Sequence, residues 1–508
     1  MNFIQTLYIT ASKDPLKDPC GWISPEFHLM GWALSCLQLQ KFYGTISLFA
    51  NSPAARLLID ELQLPYSRVH LTHDKLQLIH PDLWTLSKIY THSFQEQPFL
   101  HVDGDIFLFK PFDSGLLQGE LIAQNVETGT EYLYIASQKE LMRFFTFFPP
   151  CVKRDFESEV PVQAANTGIV GGNNIPFFQE YSKLAFDYVH KNADKLKHVN
   201  VRLFNVFSEQ HVYYSLAREK GIPVNFQIEE IVKDTEYDCL GLGDFHEVPF
   251  NRSYLHLLGF LKRDEFTCIQ MAAKLRELYP DYYERIIALF RNNNLRLHPG
   301  GFINNVNLSA NPMDEKNSLL LLRLKNMAEK CPPNINKELF QSDFNTFFAH
   351  LLAFLSKNCS GYDLFERNIA AQRWYRDLFA DMSVVMQQTV VRCPEAEIIE
   401  SSFNWAGYIY QNYQVEDVSD DDLQSEDEPY FNLIVLEASD NRFSLYTISE
   451  WEYAIFQLLS EPLSINEIIA KMQDYCEEDV LHNHHEEYKN IMLLFIKQLV
   501  IKKAIRPL

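Results

Sequence analysis

The sequence has no apolar run long enough to cross a membrane. A spanning helix needs about 20 consecutive apolar residues, whereas the longer runs here are of the size of Ile491 to Ile496. The first residues, Met1 to Thr6, show no basic stretch followed by an apolar one, as a secretory leader would. We therefore expect no membrane insertion and a cytoplasmic location.

Paired cysteines are missing as well. The nine cysteines are scattered and odd in number, and no two form a Cys-x-x-Cys pair. Such pairs would indicate a structural metal site or a redox site. The cysteines are therefore predicted to be reduced thiols, in agreement with a cytoplasmic location.

The chain has no excess of positive charge. It carries 45 basic and 67 acidic side chains, which gives a formal net charge of −22. Nucleic acids and anionic lipids are themselves negative, so this charge disfavours both as partners. With 508 residues, of which 47% are hydrophobic, the chain is expected to fold into two or three domains.

The first 110 residues alternate strand-like and helix-like segments. Strands are predicted at residues 7–10, 45–50, 68–72 and up to Asp103, and helices from Ser24 and at 54–62 and 83–93. Repeated strand–helix units predict an α/β fold with a mostly parallel sheet. Ligands of such sheets bind at the carboxyl ends of the strands.

Two aspartates stand where the fourth of these strands ends. Asp103 and Asp105 flank Gly104 directly after an apolar run. Two carboxylates one residue apart can share a hard divalent cation, which keeps open positions for nucleotide phosphates. Roughly one or two Asp-x-Asp triplets arise by chance in a chain of this length, and Asp420 to Asp422 form another one in an acidic stretch. The position after a strand favours the first pair.

A second motif, His-x-x-Gly-x-x-Lys, lies far downstream at His256 to Lys262. It provides an imidazole for a metal, a glycine (Gly259) that permits close approach of the backbone, and an ammonium for phosphate charge. The two motifs together predict a site for a metal ion and a phosphorylated ligand.

This pair of motifs resembles that of the GT-A nucleotide-sugar glycosyltransferases, most closely glycosyltransferase family 8, whose members retain the anomeric configuration. The resemblance implies that Asp103, Asp105 and His256 hold Mn²⁺ or Mg²⁺ against the diphosphate of a UDP-sugar. It also implies that Lys262 contacts the diphosphate. The family usually continues Pro-Trp after this lysine, whereas the chain has Arg263-Asp264.

The resemblance assigns further residues to the nucleotide-sugar donor, and these are Tyr8, Thr10, Ala11, Lys88, Asp103, Gly104, Gly259 and Lys262. The first three follow the first strand, where the nucleoside lies in this fold. Lys88 would lie near the sugar, although a solvated helix lysine is the alternative.

Three residues are predicted to act on the sugar. Asn166 lies in an Asn-x-Gly segment that would line the donor and acceptor sites, with a plain strand–turn as the alternative. Glu209 and Gln210 are predicted at the start of a helix (residues 205–220), where a carboxylate can hold sugar hydroxyls or accept a proton. The helix macrodipole alone also favours a glutamate at such a position.

Four segments are predicted in all. Residues 1–265 would form the GT-A domain, and residues 266–412 a helical extension. Residues 413–429 would be a linker, since eight of the thirteen positions from Glu416 to Glu428 are acidic and none is basic. Residues 430–508 would form a small winged-helix-like α+β domain.

The last segment combines a predicted hairpin with three helices. This pattern resembles the PqqD-type domains, which bind leader peptides of ribosomally made natural products through an edge strand and a helix. DNA binding, the other use of a winged helix, is disfavoured by seven basic against twelve acidic residues from Tyr430 to Leu508. His482, His484 and His485 are interpreted as polar residues rather than metal ligands, because no cysteine or carboxylate pattern completes a site.

The sequence therefore predicts a metal-dependent glycosyltransferase that moves a sugar from a nucleotide diphosphate to a peptide, protein or glycan acceptor. Tailoring of a ribosomally made peptide would be one such use. Two alternatives stay open: a non-catalytic peptide-binding scaffold, and a nucleotidyltransferase. The second would need a glycine-rich basic loop after the first strand, and Lys13 to Lys17 contains no glycine.

Overall fold

The computed structural model describes residues 1–10, 13–129, 133–158, 161–233, 237–295, 297, 331, 335–355, 361–378, 382–406, 429–436, 443–476 and 485–508. The chain divides into two compact units, Met1–Asn294 and Leu295–Leu508. Seven of the nine cysteines are free thiols: Cys20, Cys36, Cys151, Cys268, Cys331, Cys393 and Cys476. No helix within these ranges is both long enough and apolar enough to span a membrane.

The first unit contains twelve strands and ten α-helices among its described residues. The strands are β1 Asn2–Leu7, β2 Ile46–Ala50, β3 Arg68–His70, β4 Phe99–Val102, β5 Ile106–Leu108, β6 Leu121–Ala123, β7 Val126–Thr128, β8 Gln163–Ala165, β9 Ile169–Gly172, β10 Val224–Phe226, β11 Val232–Lys233 and β12 Tyr254–His256. The α-helices are α1 Pro25–Tyr43, α2 Ser52–Ala55, α3 Thr85–Ser93, α4 Tyr134–Phe144, α5 Pro150–Glu157, α6 Ile175–His190, α7 Val201–Val206, α8 Val212–Lys220, α9 Glu265–Leu278 and α10 Pro280–Asn292.

Short helical turns of other types complete this unit. Its π-helical segments are Arg56–Glu61 and Phe207–His211. Its 3₁₀ turns are Thr72–Lys75, Leu116–Gln118, Ala193–His198, Tyr237–Leu240 and Leu261–Arg263.

A seven-stranded sheet forms the centre of the first unit, in the order β10-β6-β9-β4-β1-β2-β3. Neighbouring strands are parallel, except that β9 runs antiparallel to both β4 and β6. The predicted α/β class with a mostly parallel sheet is therefore confirmed. Strand β1 spans Asn2–Leu7 rather than residues 7–10, so Tyr8 and Thr10 follow the strand instead of forming it.

Alternating residues of the central strands enter two different hydrophobic cores. Ile4 and Phe99 belong to the core that includes residues of α3, α6 and α8. Phe3 and Leu100, their chain neighbours, belong to a core that includes residues of α1. Successive side chains of a strand point to opposite faces, so both faces of the sheet are covered. Apolar strands of this kind are typical of α/β folds.

Helix α1 begins where the sequence predicted, with Ser24 at the N-cap position and Pro25 as the first helical residue. Both α9 and α10 pack against α1. For this reason the first compact unit extends to Asn294, whereas the predicted first domain ended at residue 265.

Glu209 and Gln210 do not lie at a helix start, and that prediction is wrong. The helical segment starts at Val201, where the side chain of Asn200 accepts a hydrogen bond from the backbone N–H of Leu203. It then continues through the π-helical segment Phe207–His211 into α8. Single π turns inside helices are frequent at functional sites.

The second unit contains six strands and six α-helices among its described residues. The strands are β13 Thr389–Arg392, β14 Ala396–Ser401, β15 Tyr430–Leu436, β16 Phe443–Ile448, β17 Leu463–Ser464 and β18 Ile505–Pro507. The helices are α11 Lys337–Leu355, α12 Gly361–Leu378, α13 Met382–Val385, α14 Glu450–Leu458, α15 Ile465–Met472 and α16 His485–Ile501, with a 3₁₀ turn at Gln473–Tyr475.

The predicted hairpin and three helices of the second unit are present. Strands β15 and β16 pair in antiparallel fashion, and Ser449 and Ser464 each form a capping box at the start of a helix. However, β14 pairs with β15, and β13 pairs with β17 and β18. The segment predicted as a helical extension, 266–412, therefore contributes strands to both small sheets of this unit. Residues 413–428 of the predicted acidic linker, which include Asp420 to Asp422, and residues His482 and His484 lie outside the described residues.

Candidate functional site

The carboxyl ends of the central strands bring five charged side chains together. Asp103 and Asp105 follow β4, Lys88 lies on α3, Glu209 lies in the π-helical segment, and Lys262 follows β12. We call these five residues the carboxylate–lysine cluster. All of them were predicted as site residues, and the structure places them at one end of the sheet.

Lys88 binds two of the carboxylates. Its Nζ atom lies 3.1 Å from Oδ2 of Asp103 and 2.6 Å from Oε1 of Glu209. It also donates a hydrogen bond to the carbonyl oxygen of Thr167, at 3.0 Å. Only 8% of Lys88 is exposed, so the alternative of a solvated helix lysine does not hold. The carbonyl oxygen of Asp103 accepts a hydrogen bond from Ser35, at 3.3 Å.

Asp105 lies between Lys262 and His256. The Lys262 ammonium forms an ion pair with Oδ2 of Asp105. The other carboxylate oxygen, Oδ1, is buried and has no hydrogen-bond partner among the described residues. Nε2 of His256 lies 3.7 Å from this Oδ1 atom, which is too long for a hydrogen bond. The antiparallel pairing of β12 with β5 sets this geometry, because His256 is paired with Ile106.

The hydrogen bonds of His256 fix its tautomer. Its Nδ1 atom lies 2.7 Å from Oε1 of Gln124, which also accepts from the hydroxyl of Tyr254 at 2.5 Å. An amide oxygen only accepts, so Nδ1 carries the proton. Burial lowers the pKa of His256 to about 4, against the opposing effect of Asp105. The ring is therefore neutral at pH 7, and its Nε2 lone pair faces the unpaired oxygen of Asp105.

The carboxylate–lysine cluster has more negative than positive charge. Three carboxylates, of Asp103, Asp105 and Glu209, stand against two ammonium groups, of Lys88 and Lys262. Burial raises the pKa of Asp103 to about 7, and the charges of Asp105 and Glu209 add to this rise against the attraction of Lys88. Burial also acts on Asp105, but Lys262 and His256 outweigh it and keep the pKa of Asp105 below its ordinary value.

The pKa of Lys88 is raised, which favours the charged form of this lysine. Burial opposes its ammonium, but Asp103 and Glu209 raise the pKa of Lys88 above its ordinary value. Both pKa values are raised, but the shift of Lys88 favours the ion pair, whereas the shift of Asp103 favours its neutral acid. The Lys88 ammonium stays charged, because three carboxylates surround two cations. One further positive charge would stabilise the ionised form of Asp103.

No group of three His, Cys, Asp or Glu side chains within the described ranges is arranged to hold a metal ion. In this arrangement the ammonium groups of Lys88 and Lys262 contact the aspartates directly. Oδ1 of Asp105 is nevertheless unpaired and Nε2 of His256 is unprotonated, so these two atoms offer lone pairs to a cation, while Lys88 binds both carboxylate oxygens of Asp103.

Two glycines make room for aromatic rings at this site. A Cβ atom on Gly104 would lie 2.5 Å from Cε2 of Trp32. A Cβ atom on Gly168 would lie 2.5 Å from Cε1 of His256. At Gly259, by contrast, a Cβ atom would meet no described atom within 4 Å. Gly104 and Gly168 are thus required by packing, whereas Gly259 borders open space, which suits the predicted approach of a phosphate.

A second polar cluster lies beside Glu209. The Glu127 carboxylate, 3% exposed, accepts hydrogen bonds from the hydroxyls of Tyr134 and Tyr237 and, at 2.9 Å, from the amide of Asn166. Tyr134 also contacts Oε1 of Gln210. Oδ1 of Asn166 accepts from the backbone of Gly168 at 3.0 Å. Asn166 and Gln210 are therefore engaged within the protein, and the contact of Asn166 with Gly168 shapes the turn next to His256.

The residues predicted at the nucleoside follow β1. The hydroxyl of Tyr8 donates to the carbonyl oxygen of Leu76, at 3.2 Å. Oγ1 of Thr10 is buried and has no hydrogen-bond partner in the part of the chain that is described. Both residues are partly exposed. Ala11 lies outside the described residues.

Sequence reasoning missed several residues of the site, namely Ser35, His101, Gln124, Glu127, Tyr134, Tyr237 and Tyr254. Gln124 directly follows β6, so the rule that ligands gather at strand ends pointed to it. The tyrosines carry no such signal, because Tyr134 and Tyr237 reach Glu127, and Tyr254 reaches Gln124, only through tertiary packing. A separate cavity of 760 Å³, lined by residues that include Lys110, Phe112, Asn225 and Ser253, contains none of the charged cluster.

Comparisons with known proteins give one family. A search of curated proteins finds no match to the sequence. The model of a family of unknown function, DUF6734, matches residues 1–289, which is more than half of the chain and nearly the whole first compact unit. The matched region includes every residue of the carboxylate–lysine cluster and His256. The chain therefore belongs to the DUF6734 family of unknown function.

Proposed function

We propose that this protein is a cytoplasmic, metal-dependent glycosyltransferase of the GT-A type. It moves a sugar, with retention, from a UDP-sugar to a peptide, protein or glycan acceptor. The observation that carries the proposal is the excess negative charge of the carboxylate–lysine cluster beside an unprotonated imidazole nitrogen. Such a site attracts a cation and, through it, a diphosphate.

Asp103, Asp105 and His256 would hold the ion. Two carboxylates and one imidazole suit Mn²⁺ or Mg²⁺ better than a thiolate-seeking metal. When bound, the ion supplies positive charge at the diphosphate of the donor. Protonation of His256 removes its ligating lone pair, so acid is expected to weaken the site.

Lys262 is placed to bind the leaving diphosphate. Its side chain is 21% exposed, whereas that of Lys88 is 10% exposed. When the bond between the anomeric carbon and the diphosphate oxygen breaks, its electron pair stays on that oxygen. A fixed ammonium near this oxygen stabilises the charge in the transition state more than in the ground state.

Lys88 and Glu209 are assigned to the sugar side of the donor. Lys88 binds Glu209 at 2.6 Å, which fixes the orientation of the glutamate. An ionised carboxylate accepts hydrogen bonds from sugar hydroxyls. The π turn that carries Glu209 directs it into the cluster rather than along the face of a regular helix.

The second unit is assigned to the acceptor. Its sheet β14-β15-β16 has edge strands at β14 and β16, and an edge strand offers backbone groups to an extended peptide. The hairpin and capped helices of this unit also support the predicted winged-helix-like domain.

Donor hydrolysis tests the proposal. Release of UDP is measured from a panel of UDP-sugars, with Mn²⁺ or with a chelator, for the wild type and for Asp103→Asn. The proposal expects slow, Mn²⁺-dependent release by the wild type, and none by the variant. Equal release with and without the chelator would contradict it.

A non-catalytic peptide-binding scaffold is the second candidate. One observation favours it: Lys88 and Lys262 already pair with Asp103 and Asp105, without a metal. This candidate predicts that neither UDP nor Mn²⁺ binds, while a peptide still binds the second unit.

A further inference from the structure

A row of polar side chains ends next to Asp103. Nε2 of His101 lies 3.0 Å from Oγ1 of Thr6, which lies 2.7 Å from Oγ1 of Thr91. Oγ1 of Thr91 lies 3.3 Å from Nε2 of His73. We call His101, Thr6, Thr91 and His73 the relay. Thr91, His73 and His101 are at most 1% exposed, so each hydrogen bond in the relay matters for stability.

The backbone contacts and the distances favour one direction of the relay. Nε2 of His73 lies 2.8 Å from the carbonyl oxygen of Ser87. A carbonyl only accepts, so this nitrogen carries the proton. The Thr91 hydroxyl then has two acceptors, and Oγ1 of Thr6 at 2.7 Å is nearer than the carbonyl oxygen of Ser87 at 3.3 Å. The Thr6 hydroxyl, which accepts from Thr91, donates to Nε2 of His101.

His101 consequently carries its proton on Nδ1. This nitrogen lies 3.4 Å from Oδ1 of Asp103 and has no hydrogen-bond partner within the described ranges. Because Nε2 accepts the hydrogen bond from Thr6, the N–H group of the ring is on Nδ1. That group lies next to the carboxylate of Asp103.

We infer that the relay presents the Nδ1–H group of His101 to Asp103 and so fixes the orientation of this carboxylate toward the metal ion and donor. His101 is a positioning residue, and the inference rests on the proposed function. Hydrogen bonds to metal-ligating side chains typically change metal affinity by about 10- to 100-fold.

Two substitutions of His101 separate this role from packing. In His101→Asn the side-chain amide takes the place of Nδ1, whereas in His101→Gln it takes the place of Nε2. Mn²⁺ binding in the presence of UDP is measured by the electron paramagnetic resonance signal of free Mn²⁺. We expect His101→Asn to stay within about threefold of the wild type, and His101→Gln to bind about 10- to 100-fold more weakly. Packing alone predicts the opposite order, because glutamine fills more of the space of the ring.

Thr6 provides a second pair of variants, in case the histidine variants do not fold. Thr6→Val removes the hydroxyl at nearly constant shape and should weaken Mn²⁺ binding, while Thr6→Ser should restore it. Equal affinity in Thr6→Val and Thr6→Ser, or tighter binding by His101→Gln than by His101→Asn, would overturn the inference.

The tautomer of His101 is tested without any metal. In ¹⁵N-histidine-labelled protein, the signals lost in His101→Asn should show a protonated Nδ1 and an unprotonated Nε2. A protonated Nε2 would overturn the inference even if Mn²⁺ binds. If the wild type binds no Mn²⁺, the proposed function is contradicted. The ¹⁵N signals would then still test the direction of the relay by themselves.

Discussion

Nε2 of His256 and Oδ1 of Asp105 face each other at 3.7 Å, and no proton lies between them. Both atoms are electron-rich, and both belong to buried side chains. Two acceptors at this distance repel each other unless a cation joins them. This contact supports the proposed metal ion at the end of β4, and it determines the first prediction.

Replacing Asp105 by asparagine should lower donor hydrolysis at least about 100-fold. The substitution keeps the shape of the side chain but removes the charge that pairs with Lys262 and faces His256. UDP release is measured at fixed Mn²⁺, and circular dichroism checks that the fold is intact. Asp60→Asn, at an exposed position of the same unit, and Asp422→Asn, in the second Asp-x-Asp triplet, should both have no effect. A loss of activity in Asp422→Asn as large as that in Asp105→Asn would show that the site had been assigned to the wrong aspartates.

Much of the site was predictable because strand ends are predictable. The apolar run before Asp103 indicated a strand, and the parallel sheet then placed both aspartates at its ligand-binding edge. The grouping of His256 and Lys262 with them came from motif resemblance, since no local pattern joins residues so far apart in the chain. Their proximity depends on the pairing of β12 with β5.

The two glycines near His256 should respond differently to alanine. In Gly168→Ala the new Cβ atom would displace the His256 ring, which should weaken Mn²⁺ binding and cost about 1–3 kcal/mol of unfolding free energy. In Gly259→Ala the new Cβ atom meets no described atom within 4 Å, so the melting temperature should equal that of the wild type. UDP binding should weaken, because the Cβ atom would stand where a phosphate is predicted to approach. Calorimetry measures the binding of Mn²⁺ and UDP, and thermal melts measure the stability of each variant. Full metal binding by Gly168→Ala would show that the position of His256 is unimportant.

The surroundings of Glu209 were not predictable from the sequence. A helix start was expected close to it, but the cap formed by Asn200 begins the helix earlier and leaves Glu209 in a π turn. The cluster around Glu127 joins residues that lie on different strands and helices, such as Tyr134 and Tyr237. Hydrophobic periodicity carries no information about such contacts, because it records only which face of an element is buried.

Stability should fall as the pH drops below about 6.5. Burial lowers the pKa values of His28 (to about 4), His73, His92 and His211 in the folded protein. The unfolded chain therefore takes up protons first, and the stabilisation present above pH 6.5 is lost as the pH falls toward the folded pKa values. For His28 the loss is about 3 kcal/mol.

The variant His28→Gln tests this assignment. Glutamine keeps an acceptor for the indole N–H of Trp32, which donates to Nε2 of His28 at 2.9 Å, but does not titrate. Chemical unfolding between pH 4 and 7 should show a flatter pH dependence for the variant. Identical profiles would show that His28 does not contribute.

Truncation should separate donor from acceptor recognition. A chain that ends at Asn294 keeps the whole first compact unit and should bind UDP and hydrolyse its sugar slowly. A chain that ends at Asn412 keeps β14 without β15, its pairing partner, and should aggregate. Transfer to the acceptor should lose apparent affinity when the second unit is removed, because tethering raises effective concentration. Unchanged acceptor kinetics of the chain 1–294 would contradict the role of the second unit.

The most direct test of the glycosyltransferase proposal is a calorimetric titration of UDP into the full-length protein, with Mn²⁺ and with a chelator. The proposal predicts UDP binding that needs Mn²⁺ and that disappears in Asp105→Asn, while Asp60→Asn binds as the wild type does. Binding of UDP at equal affinity with and without Mn²⁺, or no binding under either condition, would contradict a metal-dependent transferase.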